Sequence, residues 1–227
     1  MNASLEPSSR ADLAYDRLRG EILQGSLMPE DRLRAVELQE RFQLGLTPIR
    51  EALTRLATEG LVETESNRGF RVTAASAEGF ADLMRARRQI EALCLTQAIE
   101  RGDAAWEAEI LAAMHLLSRT PLPASPDDRA AATQWETQHR RFHLALVAGC
   151  GSEWLLRFWS MLTDHSERYR KIRVLRHQQA DASARDVEAE HRAVMAAAID
   201  RDADRAVALM EAHLQATEQA VMRYLAG

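Results

Sequence analysis

The sequence predicts a mostly α chain: an N-terminal unit of three helices and a small β-hairpin, followed by an all-helical bundle. Three observations predict this. Strand-like runs occur only early, at Leu61-Val62-Glu63-Thr64 and Phe70-Arg71-Val72-Thr73, around the polar turn Glu65-Ser66-Asn67-Arg68-Gly69. From residue 77 onward, stretches rich in Ala, Leu, Glu and Arg run to the end, broken at Gly102, at Pro121-Leu122-Pro123-Ala124-Ser125-Pro126 and at Gly149-Cys150-Gly151. Between the two regions lies Thr73-Ala74-Ala75-Ser76, small and unpatterned, which reads as a linker. Domains are therefore expected at 1–75 and 76–227, the second holding about six or seven helices in the size range of ordinary bundles.

The elements of the first domain follow in order. A helix from roughly Ala11 to Gln24 places Leu18 and Ile22 one turn apart, with Gly25 as a stop. A second from roughly Ala35 to Phe42 places Val36, Leu38 and Phe42 near the core, and Gln43-Leu44-Gly45-Leu46 is a tight connection. The third is expected to start at Thr47 as N-cap, with Pro48 at the first helical position and Glu51 in the first turn. It continues with Ile49, Ala52, Leu53 and Leu56 at core spacing, and Gly60 ends it. Helix, turn, helix and then hairpin is the order of a winged helix-turn-helix, whose second helix of the pair enters the major groove. Thr47 and Arg50 then lie where phosphates and base edges are met. Any one of them alone also reads as a solvated surface residue; the order of elements is what favours nucleic acid.

Composition sets exclusions. The 227 residues are 46% hydrophobic, too apolar for wholesale disorder. No apolar run reaches the roughly 18 residues of a membrane span. The N-terminus, Met1-Asn2-Ala3-Ser4-Leu5-Glu6-Pro7, lacks the basic start and apolar stretch of a secretory signal. Two cysteines, Cys94 and Cys150, are too few for a disulfide scaffold, so a reduced, cytoplasmic compartment is expected. Net charge is -5, from 29 basic and 34 acidic residues, so a DNA binder must concentrate its positive charge on one face. Lys171 is the only lysine. Arginine suits two-pronged contacts to phosphate, carboxylate or guanine, although a GC-rich genome would give the same bias.

Four of the seven histidines form a set. His139 and His143, four apart, stack on one helix face and are able to chelate a metal ion. His191 and His213 fall on two further helices of an otherwise aliphatic bundle. Neutral imidazoles are costly to bury without a partner, and a shared ion supplies one. His115, His165 and His177 fit no ligand pattern and read as surface or core.

The residues also carry a resemblance. Pro29 through Leu53, Leu56, Glu59-Gly60-Leu61-Val62, Asn67-Arg68-Gly69-Phe70 and Val72 resemble the DNA-binding domain of GntR-type regulators. That resemblance implies DNA contacts from Arg34, Thr47 and Arg50, and wing-tip contacts in or near the minor groove from Asn67, Arg68 and Gly69. Two positions depart from the family pattern: Gly45-Leu46 stands where Ser-Arg is usual, and Ala35 where Glu is usual, so the operator is not transferable. Residues 77–227 resemble the effector-binding FCD domain of the FadR-type subgroup. The resemblance is carried by Arg87, Ile90-Glu91, His139, Phe142-His143, Ala148-Gly149, Glu190-His191, Arg201-Asp202 and Met210 with His213-Leu214.

This second resemblance implies a divalent ion held by His139, His143, His191 and His213, with His139 where metal-binding members carry Asp. Four neutral imidazoles leave the +2 charge uncompensated, which draws an anionic carboxylate to open positions. They favour zinc, with nickel as the alternative, over magnesium or calcium. Arg87 corresponds to the family's effector-side arginine; an ion pair with Glu91, one turn on, is an equal reading. Arg168, Tyr169 and Arg170 are further pocket candidates. A narrower resemblance lies in Gly45-Leu46, Trp106-Glu107-Ala108, His115-Leu116-Leu117-Ser118, Val147–Ser152 and Arg168-Tyr169-Arg170. It is to a glutarate-responsive repressor in the family, and it implies a five-carbon dicarboxylate or a relative.

Three functions compete. The favoured one is a homodimeric repressor, not an enzyme, that binds a short palindromic operator in double-stranded DNA and releases it on binding a small carboxylate, with no membrane partner. A metal-dependent hydrolase with an accessory winged helix would need a general base, for which Glu190 is the candidate and Glu136 a distant second. A DNA-binding protein with a purely structural metal site is the third.

Overall fold

A computed structural model describes residues 9–65, 69–122, 128–176 and 185–225. The chain divides into two compact units: Met1–Ser76 with Glu167–Ile172, and Ala77–Ser166 with Arg173–Gly227.

In the first unit, α1 (Arg10–Leu23) opens on a capping box. The Ser9 hydroxyl accepts the Asp12 N–H at 3.1 Å, and the Asp12 carboxylate accepts the Ser9 N–H at 3.2 Å. The helix buries Ala14, Leu18 and Ile22, which its four-residue spacing puts on one face. α2 (Ala35–Phe42) buries Leu38 and Phe42 and closes on Gln43 in the left-handed region. α3 (Leu46–Thr58) buries Ile49, Ala52, Leu53 and Leu56. Three strands follow the order β1-β3-β2, all antiparallel: β1 (Arg32–Leu33), β2 (Val62–Glu65) and β3 (Gly69–Val72). Leu33, Leu61, Val62 and Val72 add the sheet's inner face to the same core.

Three details differ from the expectation. Val36, expected near the core, is 59% exposed on α2, because only Leu38 and Phe42 of that helix face the interior. The hairpin has a third strand, β1, which at two residues is too short to show alternation. The third helix starts two residues earlier than expected, at Leu46, with Gly45 rather than Thr47 as N-cap and no side-chain cap bond. Pro48 is then the third helical residue. That costs no hydrogen bond, because the first four N–H groups of a helix have no intrahelical acceptor.

Six helices among the described residues make up the rest of the chain: α4 (Ala77–Arg101), α5 (Ala104–Ser118), α6 (Arg129–Ala148), α7 (Glu153–Arg176), α8 (Val187–Ile199) and α9 (Ala203–Leu225); all belong to the second unit except Glu167–Ile172 of α7, which group with the first. α4 packs on α9, α5 on α6, and α8 on α9. The breaks read from the sequence fall between these helices. At Gly102 the Trp106 indole lies against the backbone where a side chain would stand, and Asp103 caps α5 by accepting the Trp106 N–H at 2.9 Å. The Trp106 Nε1–H donates to the Ala145 carbonyl at 2.9 Å, tying α5 to α6. Phe80, Met84, Phe142, Leu146 and Trp159 fill the interior. A buried polar group sits among them: Arg87, Glu91, His139, His143, His191 and His213. Among the described residues no helix is long and apolar enough to cross a membrane.

Candidate functional site

Helical spacing brings His139 and His143 to one face of α6, while α8 and α9 deliver His191 and His213 to the same place. Their exposures are 3%, 1%, 2% and 4%, so bulk water does not solvate them. One ring nitrogen of each lies within 4.8 Å of those of the other three. The His139 and His143 Nε2 atoms are 3.1 Å apart. An ion bound to imidazoles at about 2.0–2.1 Å puts adjacent nitrogens about 3.0–3.4 Å apart and opposite ones about 4 Å apart. The cluster meets that demand with small adjustments, and an all-nitrogen donor set suits a borderline transition ion. Trp135 stacks on His139 with centroids 4.6 Å apart, which fixes that ring on its outer side.

His213 has a carboxylate behind it. Its Nδ1 is 2.8 Å from Glu190 Oε2, and Arg185 grips both oxygens of Glu190 at 2.7 and 2.6 Å. Burial raises the Glu190 carboxyl, but the hydrogen bonds from His213 and Arg185 and the Arg185 charge outweigh it and hold it at about 2. Burial pushes the His213 imidazole below its usual value, against the pull of Glu190, and the Arg185 and Arg87 charges add to the fall. The neutral form is the one that ligates a metal. The hydrolase reading assigned Glu190 as a base; its carboxylate is instead committed to His213 and Arg185, and sequence reasoning missed Arg185 altogether. The available signal was a basic residue five positions before the Glu190-His191 pair.

Arg87 is 3% exposed on α4. Its Nη1 donates to Ser166 Oγ, and its Nε lies 3.7 Å from Glu91 Oε2. The ion pair expected as one of two readings therefore exists, and the charge is still felt at His213. Glu91 is fully buried, which raises its carboxyl despite Arg87 and the 2.8 Å hydrogen bond from Trp159 Nε1. The other three pocket candidates, Arg168, Tyr169 and Arg170, lie on α7. They group with the first unit. There Arg168 donates to the Thr73 carbonyl, Tyr169 receives a backbone hydrogen bond from Ser76, and Arg170 lies 3.8 Å from Glu167. His115 is exposed and His165 half-buried, while His177 is outside the described residues.

In the first unit, Arg34, Arg50 and Gly69 line one shallow groove together with Leu33, Val36 and Phe70. Thr47 and Arg50 are exposed near the start of α3. Arg34 pairs with Glu37 at 2.9 Å, an exposed contact that a phosphate displaces cheaply. Among the described residues Arg50 makes no ion pair, whereas Arg41, Arg55 and Arg71 are matched to Glu21, Asp12 and Glu65. Gly69 holds a φ of 98°, a conformation that favours glycine where the wing rejoins β3. Asn67 and Arg68 are outside the described residues.

Residues 10–72 match the description "Bacterial regulatory proteins, gntR family", and residues 82–216 match "FCD domain". The chain is 37% identical over 213 residues to the HTH-type transcriptional repressor GlaR of Escherichia coli K12, covering 94% of this chain and 96% of that one. It is 34% identical over 216 residues to the uncharacterized HTH-type transcriptional regulator BphR of Paraburkholderia xenovorans LB400, covering 95% and 86%. Among solved structures, E. coli McbR/YncC superposes with a TM-score of 0.79 at 19% identity over 97% of this chain and all of that one. A GntR regulator of Rhodococcus sp. RHA1 gives 0.72 at 20% identity over 95% and 99%. The winged helix-turn-helix, the helical second unit and these matches together make this chain a member of the GntR family with an FCD effector domain, a DNA-binding transcriptional regulator rather than an enzyme.

Proposed function

We propose that this protein is a cytoplasmic, homodimeric repressor that leaves its operator when a small dicarboxylate binds beside a zinc ion held by His139, His143, His191 and His213. The observation that carries this is the convergence of four buried imidazoles from three helices within 4.8 Å, with the Arg87 charge reaching the same cluster. A bound zinc ion supplies positive charge and open coordination positions for one carboxylate. Arg87 supports a second carboxylate by exchanging its contact with Glu91 for a two-pronged one. The narrower resemblance noted above, to the glutarate-responsive repressor CsiR, favours a five-carbon dicarboxylate such as glutarate. The name of the E. coli relative supports repression. Arg34, Thr47, Arg50 and Gly69, with Asn67 and Arg68, carry operator binding. A two-fold dimer presents two such units to a palindrome.

The test is a gel shift on the protein's own upstream DNA, with and without glutarate, in zinc and in chelator. Release by glutarate only in the presence of zinc supports the reading. A ligand screen in which no carboxylate changes DNA binding or melting temperature refutes it. Zinc-dependent stabilisation without any ligand response favours the structural-site alternative.

A further inference from the structure

Arg185 stands just before α8, whose N-cap is Asp186. Its Nε donates to Glu190 Oε1 at 2.7 Å and its Nη2 to Glu190 Oε2 at 2.6 Å, a two-pronged grip on one carboxylate. The same Nη2 donates to the His213 backbone carbonyl at 2.9 Å, and Nη1 reaches Thr217 Oγ1 at 3.2 Å. Glu190 Oε2 lies 2.8 Å from His213 Nδ1. Arg185 Nη2 also lies 3.2 Å from that nitrogen, but it has two hydrogens and both are spent on Glu190 Oε2 and the His213 carbonyl. The ionised carboxylate can only accept, so the proton between Glu190 and His213 sits on Nδ1. The lone pair is then on His213 Nε2, the atom left for a metal.

We infer that Arg185 is a positioning residue for His213, acting through Glu190. The inference rests on the metal reading above and deepens it. Glu190 lies in the first turn of α8 with 30% of its side chain exposed, so alone it is free to change rotamer. Arg185 holds both of its oxygens and also ties the start of α8 to the middle of α9. The imidazole is thus fixed in tautomer and orientation before any ion arrives, and that ordering need not come out of the binding energy. The guanidinium and carboxylate cancel in charge, so this support orients the ligand without offsetting the +2 of the ion. Lysine cannot replace it, because an ammonium lacks the planar fork.

The test uses full-length wild type, Arg185→Gln, Arg185→Lys, Glu190→Gln and the Arg185→Gln/Glu190→Gln double variant. Zinc affinity is read by competition with a chromogenic chelator, and the tautomer of His213 by 15N NMR of the metal-free, histidine-labelled protein. Arg185→Gln and Glu190→Gln each weaken zinc binding about 10- to 100-fold. The double variant binds no worse than the weaker single one, since both act along one chain of contacts. Arg185→Lys recovers only part of the loss. Metal-free wild type shows a protonated His213 Nδ1, and Arg185→Gln shows a mixture of tautomers. Wild-type zinc affinity with an unchanged tautomer in Arg185→Gln, or additive losses in the double variant, overturns the inference while leaving the metal reading standing. A wild type that binds no zinc overturns both.

Discussion

Replacing His191 and His213 together by alanine tests whether the cluster works as a metal centre. Two of the four ligands go, and what remains, His139 and His143, sits on one helix. An ion held there no longer joins α6 to α8 and α9. At free zinc a thousandfold above its Kd, the native wild type gains about 4 kcal/mol by mass action. For a chain of this size each kcal/mol moves Tm by about 2–4 °C, so zinc added to chelated wild type raises melting by on the order of 10 °C. The double variant also loses buried side-chain volume, which lowers Tm for a reason unrelated to metal. The informative quantity is therefore the zinc-minus-chelator difference within each protein, followed by scanning fluorimetry. That difference collapses toward zero in the double variant, and glutarate no longer adds to it. Operator binding in a gel shift persists, because Thr47 and Arg50 are in the other unit. A double variant that keeps the full zinc-dependent increment, or a wild type that shows none, refutes the reasoning.

Arg50→Ala loses about 1–3 kcal/mol of operator affinity if, as proposed, its exposed guanidinium near the start of α3, which has no ion pair among the described residues, meets a base or phosphate; wild-type affinity in a titration would sink that assignment. Arg68→Ala weakens binding to all sequences and lowers the slope of log affinity against log salt by about one, read from titrations at several salt concentrations; an unchanged slope means Arg68 is away from phosphate. Gly102→Ala destabilises the second unit by about 1–3 kcal/mol, because the new Cβ overlaps the Trp106 ring and lies 2.7 Å from the Ala98 carbonyl, which cannot move without unwinding α4; an unchanged melting curve would contradict this.

Much of the fold was legible because its signals are local. Ala35–Phe42 is a helix over the expected residues, with Leu38 and Phe42 but not Val36 buried, and Gly102 and Gly149-Cys150-Gly151 interrupt helices where a backbone turn is needed. The four-residue interval between His139 and His143 fixes their shared face on any α-helix. Winged helix-turn-helix order and the candidates Thr47 and Arg50 follow from the same short-range patterns, while Arg34 is implied only by the family resemblance.

Tertiary structure decided what depends on contacts between distant segments. Arg32–Leu33 becomes a strand only because β3 offers it an edge, so no run of two residues could announce it. α3 starts at Leu46 because the Gly45 carbonyl accepts the Ile49 N–H, a choice of register that Thr47-Pro48 alone left open. That His191 and His213 reach the His139–His143 face depends on how three helices pack, which periodicity along any one of them does not encode. Which backbone groups Arg168 and Tyr169 meet, at Thr73 and Ser76, is likewise not encoded along their own helix. The sharpest case is Arg185. Five residues from Glu190 and 28 from His213, it becomes part of the site only when α8 and α9 meet, because a guanidinium acquires its meaning from the acceptors that folding brings around it.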